Sequence, residues 1–145
     1  MAHTTIQSSE FQHVYQVVAS DLNQYGMMHG GRLLTLCDET GYVSACKHAR
    51  CDCLTRAVHQ VQFYRPILQG DHLCIRARVG LVGHSSLWTV VEVVCGGQRM
   101  MDGVFVFAAI DEQRNIIRKV SAIRAESKEE ELLQIRLRSM RSQLV

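Results

Sequence analysis

Asp38 and Glu39 are adjacent carboxylates set among Leu33, Leu34, Leu36, Cys37 and Val43. An ionised group there loses hydration unless something pairs with it, so at least one of the two has a purpose. On a helix, at about 100° per residue, Asp38 shares a face with Leu34, Gly41, Tyr42 and Ala45. Glu39 falls on a face with Arg32, Thr35 and Val43, and Arg32 or a group on another strand is its expected partner. Asp38 has no local partner and looks onto small residues, which suits a general base or nucleophile in a cleft. The alternative is an aspartate that caps a neighbouring strand or binds an arginine. Ahead of both stands Gly30-Gly31. A glycine pair opening a helix lets a ligand approach unpaired N–H groups and the positive end of the dipole, as an oxyanion such as that of a thioester carbonyl requires. The same pair also serves as a plain turn device.

These groups need elements to hold them. Phe11, His13, Tyr15 and Val17 alternate against Gln12, Val14, Gln16 and Val18, the period of a strand. Turn formers fill Ser20 to His29, and a proline-free stretch from Gly30 to about His48 reads as a helix that is apolar or small on nearly every side and therefore enclosed. Four long strands follow at Leu54 to Tyr64, His72 to Val82, Leu87 to Cys95 and Met101 to Ile110, the last three an antiparallel meander separated by glycine-containing turns. From Glu126 to Leu144 there is no glycine or proline, and acids precede arginines as a helix dipole favours. The order predicts an α+β protein of hotdog topology: a long central helix wrapped by a curved antiparallel sheet, plus a C-terminal helix. Such a sheet leaves a free edge, and pairing two edges into one sheet makes a dimer the expected minimum.

With 145 residues, 47% hydrophobic content and a net charge of +2, one domain over residues 1–145 is expected, with 124–145 as a C-terminal helical extension. The near-balanced charge argues against a nucleic-acid partner. No apolar stretch approaches the roughly 20 residues of a membrane span, and no signal-peptide pattern opens the chain, so a cytoplasmic protein is expected. In that setting Cys37, Cys46, Cys51, Cys53, Cys74 and Cys95 are thiols. The run from Cys46 to Cys53 contains His48, but its Cys-x-Cys spacing is poor for zinc, and no metal is expected. Phosphate-loop, dinucleotide and Gly-x-Ser-x-Gly patterns are missing.

The run Asn23-x-x-Gly26-x-x-x-Gly30-Gly31-x-Leu33-Leu34-x-x-x-Asp38-Glu39 resembles the signature of hotdog-fold acyl-CoA thioesterases, the acyl-CoA hydrolase family. Phe63-Tyr64-Arg65-Pro66-Ile67-x-x-Gly70-Asp71, Gly83-x-Ser85-Ser86 with Val90-x-Glu92-Val93, and Phe105-x-Phe107-x-Ala109-x-Asp111 extend the similarity over about residues 11 to 120. The resemblance implies that Asp38 activates water or attacks the thioester, and that Asn23 from a facing subunit orients the water or the carbonyl. It implies that the Gly31 N–H, with Gly30 beside it, holds the oxyanion, and that Arg65, Ser85 and Ser86 neighbour the CoA pantetheine and phosphates. His29 stands where the family commonly has an aromatic residue; it either helps place the thioester or packs its own loop. His59 stands where an acid is frequent. Further implications are an acyl-CoA substrate, no cofactor, and a homodimer assembling to a hexamer as a trimer of dimers, with the active site between subunits. The arginines of the terminal helix, Arg136, Arg138 and Arg141, lie on a solvated face, at an oligomer contact or near CoA phosphates. Two rivals fit the fold: a hydratase or dehydratase using Asp38 with His29 or His59, and a non-catalytic acyl-CoA sensor.

Overall fold

The computed structural model describes residues 4–117 and 119–144; residues 1–3, 118 and 145 lie outside it. Its elements are β1 (Thr4–Thr5), β2 (Phe11–Gln16), α1 (Gly30–Ala49), β3 (Cys53–Phe63), β4 (His72–Val82), β5 (Ser86–Cys95), β6 (Gln98–Ala109), β7 (Ile123–Arg124) and α2 (Lys128–Gln143). The period of two produces a five-stranded antiparallel sheet in the order β2-β4-β5-β6-β3, whose β4-β5-β6 segment is the expected meander. A small parallel pair, β1 with β7, was not foreseen, because two residues are too few to show a period.

The sheet curls around α1, which packs against all five of its strands. This is the α+β hotdog arrangement. The helix buries Leu33, Leu36, Cys37, Thr40, Gly41, Ser44, Ala45 and His48. Gly41 brings it close: a Cβ there would lie 3.2 Å from the Phe107 ring and 3.3 Å from Val91. Phe105 and Phe107 are fully enclosed beneath it, and each such side chain stabilises the fold by roughly 2–3 kcal/mol.

On the outer face of the sheet, Leu81, Trp88, Val104 and Val106 form a second cluster with Leu137 and Met140 of α2. Ser127 caps α2 by accepting from the Glu130 N–H at 3.1 Å, and Glu129, Glu130 and Glu131 occupy the first turn, where the dipole favours acids. No helix among the described residues is long and apolar enough to cross a membrane.

The far edge of the sheet is open. Along β3 most side chains are exposed, including Leu54, Val58 and Phe63, and Tyr42 and Val43 of α1 are open as well. The expectation of a helix enclosed on every side therefore holds within one chain only for the sheet-facing side. The remaining apolar surface lies where no further strand follows β3.

Candidate active site

Asp38 sits two turns into α1, half-buried, and Thr55 of β3 donates its hydroxyl proton to Asp38 Oδ1 at 2.7 Å. A hydroxyl donated to one carboxylate oxygen fixes the orientation of the group. Asp38 Oδ2 accepts no hydrogen bond from the described residues. Thr55 did not stand out in the sequence. The only available signal was its place near the start of a strand opposite the helix, and a register shift between Thr55 and Ala57 breaks the alternation that would reveal its face.

The loop before α1 is organised by a different carboxylate. Asp21 is 4% exposed; it accepts from Tyr15 OH at 2.7 Å, from the Val18 N–H at 2.9 Å and from Arg32 Nε at 3.0 Å. Burial works to raise the Asp21 pKa, and these three donors together hold it below the usual carboxylate range. Arg32 is thus the partner of Asp21 rather than of Glu39, which is exposed and stands two helical turns away, about 10 Å along the axis. The same loop carries Asn23, whose Oδ1 accepts from the Tyr25 N–H at 2.9 Å and the Met27 N–H at 3.2 Å. Its amide N–H groups are left for something else, and it makes no hydrogen bond to Asp38 of the same chain.

At the helix start, His29 is the N-cap: its Nδ1 accepts from the Gly31 N–H at 3.1 Å. An accepting Nδ1 leaves the ring proton of the neutral imidazole on Nε2. This alters the expectation for Gly31, whose amide is occupied within its own chain. The Arg32 and Leu33 amides both donate to the His29 carbonyl, and the Gly30 amide has no acceptor among the described residues. Gly30 is therefore the open donor at this terminus.

Register shows which groups share an end of the molecule. Leu87, Phe107 and Thr55 form one row across β5, β6 and β3, and Ser86 lies in the next row opposite Ala108. Ser85 and Ser86 are thus at the Asp38–Thr55 end. Arg65 is at the other end, beside Tyr64, Gly97, Gln98 and Arg99, about 30 Å away along the strands. Asn23 and the helix start share that far end, since Met27 bridges Leu68 and a Cβ on Gly30 would lie 3.6 Å from the Phe63 ring. One chain does not bring Arg65, Asn23 or Gly30 together with Asp38, Ser85 and Ser86.

Other candidates have structural roles. Burial, with Asp38 adding to it, pushes the Cys37 thiol up to about 12, and Cys37 packs on Met101 with sulfurs 3.5 Å apart. His59 stacks on Trp88 on the outer face of the sheet, ring centroids 5.7 Å apart. His48 is buried, with Nε2 2.7 Å from the Ser121 carbonyl. Among the described residues no three His, Cys, Asp or Glu side chains converge as a metal site requires.

A family model, that of the thioesterase superfamily, matches residues 25–101. The chain belongs to this superfamily. An uncharacterized acyl-CoA thioester hydrolase of Bacillus subtilis is 33% identical over 79 residues, covering 54% of this chain and 46% of that relative, so the chain spans less than half its length. The fold matches that of a hexameric acyl-CoA thioesterase solved without ligand, with TM-score 0.92 and 21% identity over 99% of this chain and 95% of that one. It also matches an acyl-CoA hydrolase from Staphylococcus aureus solved with butyryl-CoA and CoA, with TM-score 0.89 and 25% identity over 99% and 92% of the two chains. The Staphylococcus aureus enzyme has further been solved with an aspartate, an asparagine or a threonine replaced by alanine; their spacing along the chain equals that of Asp38, Asn23 and Thr55 here.

Proposed function

We propose that the protein hydrolyses acyl-CoA thioesters to a carboxylic acid and CoA, at a site completed by a second copy of the chain. The observation that carries this reading is the Asp38–Thr55 pair: an oriented carboxylate on the rim of an unpaired strand edge that exposes Leu54, Val58 and Phe63. Two copies joined antiparallel through β3 would bury Leu54, Val58 and Phe63 and remove the free β3 edge of each. That pairing sets the far end of one chain against the near end of the other. Asp38 and Thr55 would then face Asn23, Gly30 and Arg65 of the partner subunit. The separation of these groups within one chain is what such a shared site requires. A trimer of these dimers is the proposed assembly, supported by the hexameric relative of the same fold.

The chemistry follows from the groups. Asp38 acts on the thioester carbonyl carbon, either by taking a proton from an attacking water or by attacking directly. Thr55 keeps the carboxylate aimed, and the amide of Asn23 is a donor for the water or the carbonyl. Negative charge developing on the carbonyl oxygen is met by the helix start, with Gly30 as its open donor and Gly31 available when His29 releases it. Collapse of the tetrahedral species expels the CoA thiolate, leaving the acid itself when water attacks and a mixed anhydride with Asp38, which water then cleaves, when the carboxylate attacks; the sequence needs neither a metal nor a redox cofactor.

The test is release of free thiol from short to long acyl-CoAs by wild type and Asp38→Asn. Wild type is expected to turn over part of the panel, and the variant to lose roughly 100- to 10,000-fold in kcat while keeping its oligomer. Binding without thiol release would establish a sensor instead, and water addition to an enoyl-CoA without thiol release would establish a hydratase.

A further inference from the structure

We infer that Arg32 and Tyr15 are positioning residues for the hydrolysis: with Asp21 they form a clamp that holds the Asn23 amide and the Gly30 N–H in fixed relation, for use with Asp38 of the partner subunit. The inference rests on the acyl-CoA reading and on its site shared between two chains.

Residues 21–29 form a small hairpin that delivers both donors. At its base the His29 amide donates to the Asp21 carbonyl at 2.8 Å; further along, Leu22 bridges Met28 and the Asn23 amide donates to the Met27 carbonyl at 2.7 Å. At the tip the Gly26 amide donates to the Asn23 carbonyl at 3.1 Å, and Gly26 takes φ 77, the left-handed conformation such a turn needs. Because Asn23 Oδ1 is already engaged by the Tyr25 and Met27 amides, the side-chain N–H groups go wherever the hairpin goes. The second arm is anchored to the chain beyond β3, with the Met28 amide donating to the Ile67 carbonyl at 2.7 Å and Met27 bridging Leu68. The first arm, which carries Asn23, is held through Asp21.

Three elements close on that carboxylate. Tyr15 of β2 donates its hydroxyl proton to Asp21 Oδ2 at 2.7 Å, and Arg32, in the first turn of α1, donates from Nε to Asp21 Oδ1 at 3.0 Å. Arg32 Nη2 also donates to the Tyr15 hydroxyl at 3.4 Å, and the guanidinium carbon lies 5.5 Å from the centre of the Tyr15 ring. Only a forked guanidinium presents separate donors to two acceptors in this way. The pair also differs from the surface ion pairs: the Asp21 side chain is 4% exposed, against 24% for Glu92, the partner of Arg99. Asp21 stands just before Asn23 and Arg32 just after Gly30, so this bond sets the distance between the two donors. A displacement of about 1 Å at such a site costs on the order of 100-fold in rate.

Arg32→Met keeps an unbranched stem and removes the fork, and Tyr15→Phe keeps the ring and removes the hydroxyl. With thiol release from an acyl-CoA as the readout, kcat should fall about tenfold in Arg32→Met and about threefold in Tyr15→Phe, each with KM within about twofold of wild type. Co-expression then shows which side of the shared site is disturbed. Mixed with Asp38→Asn, the Arg32→Met chain supplies Asp38 to a site whose Asn23 and clamp come from the other chain, and about a quarter of wild-type turnover should return. Mixed with Asn23→Ala, the one site holding both groups takes its Asn23 from the Arg32→Met chain, and about a twentieth should return. The reverse ranking, equal recovery in the two mixtures, a raised KM at unchanged kcat, or a wild-type kcat overturns the inference. Where Arg32→Met does not assemble, Tyr15→Phe goes into the same two mixtures, and recovery should again be larger with Asp38→Asn. If wild type releases no thiol the hydrolase reading fails by itself, and if Asp38→Asn mixed with Asn23→Ala recovers nothing the shared site fails by itself. Amide hydrogen exchange then decides the clamp: about tenfold faster exchange at Asn23 and His29 in Arg32→Met supports it, and unchanged exchange rejects it.

Discussion

Thr55 Oγ1 lies 2.7 Å from Asp38 Oδ1, a bond that fastens the carboxylate of α1 to the start of the edge strand β3. In the proposed reaction the Thr55 hydroxyl positions Asp38 without carrying the chemistry itself. Thr55→Val keeps the shape and removes the donor, leaving Asp38 free to rotate. Its kcat should fall about 10- to 100-fold, roughly 1.4–2.8 kcal/mol of barrier, with KM little changed. Thr55→Ser should recover most of the rate. Equal kcat in Thr55→Val and wild type would show that the bond positions nothing.

Asp21 organises the loop that carries Asn23 and leads into α1, since its carbonyl also accepts from the His29 amide at 2.8 Å. Replacing it by Asn strands Tyr15 OH and Arg32 and should cost about 2 kcal/mol of stability at neutral pH. The sign of the pH dependence follows from a folded pKa lying below the ordinary 3.8. Such a group stabilises the fold fully above the unfolded value and loses that contribution as pH falls through the folded one. The gap in Tm between wild type and Asp21→Asn should thus be steady from pH 8 to about 5 and close below the ordinary carboxylate pKa. A gap that stays constant into strong acid would contradict the charge-based account.

The elements were legible in the sequence because each carries a sustained period: Leu73, Ile75, Ala77 and Val79 point inward along β4, and the glycine-opened helix starts at Gly30. Asp38 was legible because a carboxylate amid leucines is conspicuous. Asp21 was not, since an aspartate among turn formers looks ordinary until the fold closes Tyr15 and Arg32 over it. The role of His29 as a cap that occupies the Gly31 amide depends on a side-chain rotamer, which spacing does not encode. The distance between Arg65 and Ser85 required the strand register, because both lie on turns and nothing local says which end each turn occupies.

His48 gives the fold a second pH-sensitive point. Burial, helped by Arg50, depresses its pKa below the ordinary 6.5 against the opposing bond to Ser121, and Nδ1 is buried without a partner among the described residues. Because the folded state resists the proton that the unfolded chain accepts, stability is present above the ordinary value and declines as pH drops from there toward the folded one. Tm should fall between pH 7 and pH 5. His48→Gln, whose amide can still donate to the Ser121 carbonyl, should flatten that slope, and an unaltered slope would mean that other groups produce it.

Val58 is 44% exposed on an edge strand, on the same side of the sheet as Phe105. Val58→Asp places a charge where a second copy is proposed to pair, and like charges would meet across the two-fold axis. The variant should run as a monomer in light scattering and lose thiol release, with the far-ultraviolet spectrum of a folded chain. A variant that still assembles and turns over would move the interface elsewhere.

A site shared between two chains makes a stronger prediction, which does not depend on disrupting the assembly. Asp38→Asn and Asn23→Ala should each be nearly inactive alone, because every site in either homodimer lacks one of the two groups. Co-expressing the two variants makes mixed dimers about half of the population, and each mixed dimer has one site carrying Asp38 from one chain and Asn23 from the other. The mixture should therefore recover about a quarter of wild-type turnover, measured as thiol release at equal total protein. If Asp38 and Asn23 acted within one chain, no combination of the two variants would contain an intact site. The mixture would then show only the summed residual rates, and the partner-completed site would be ruled out.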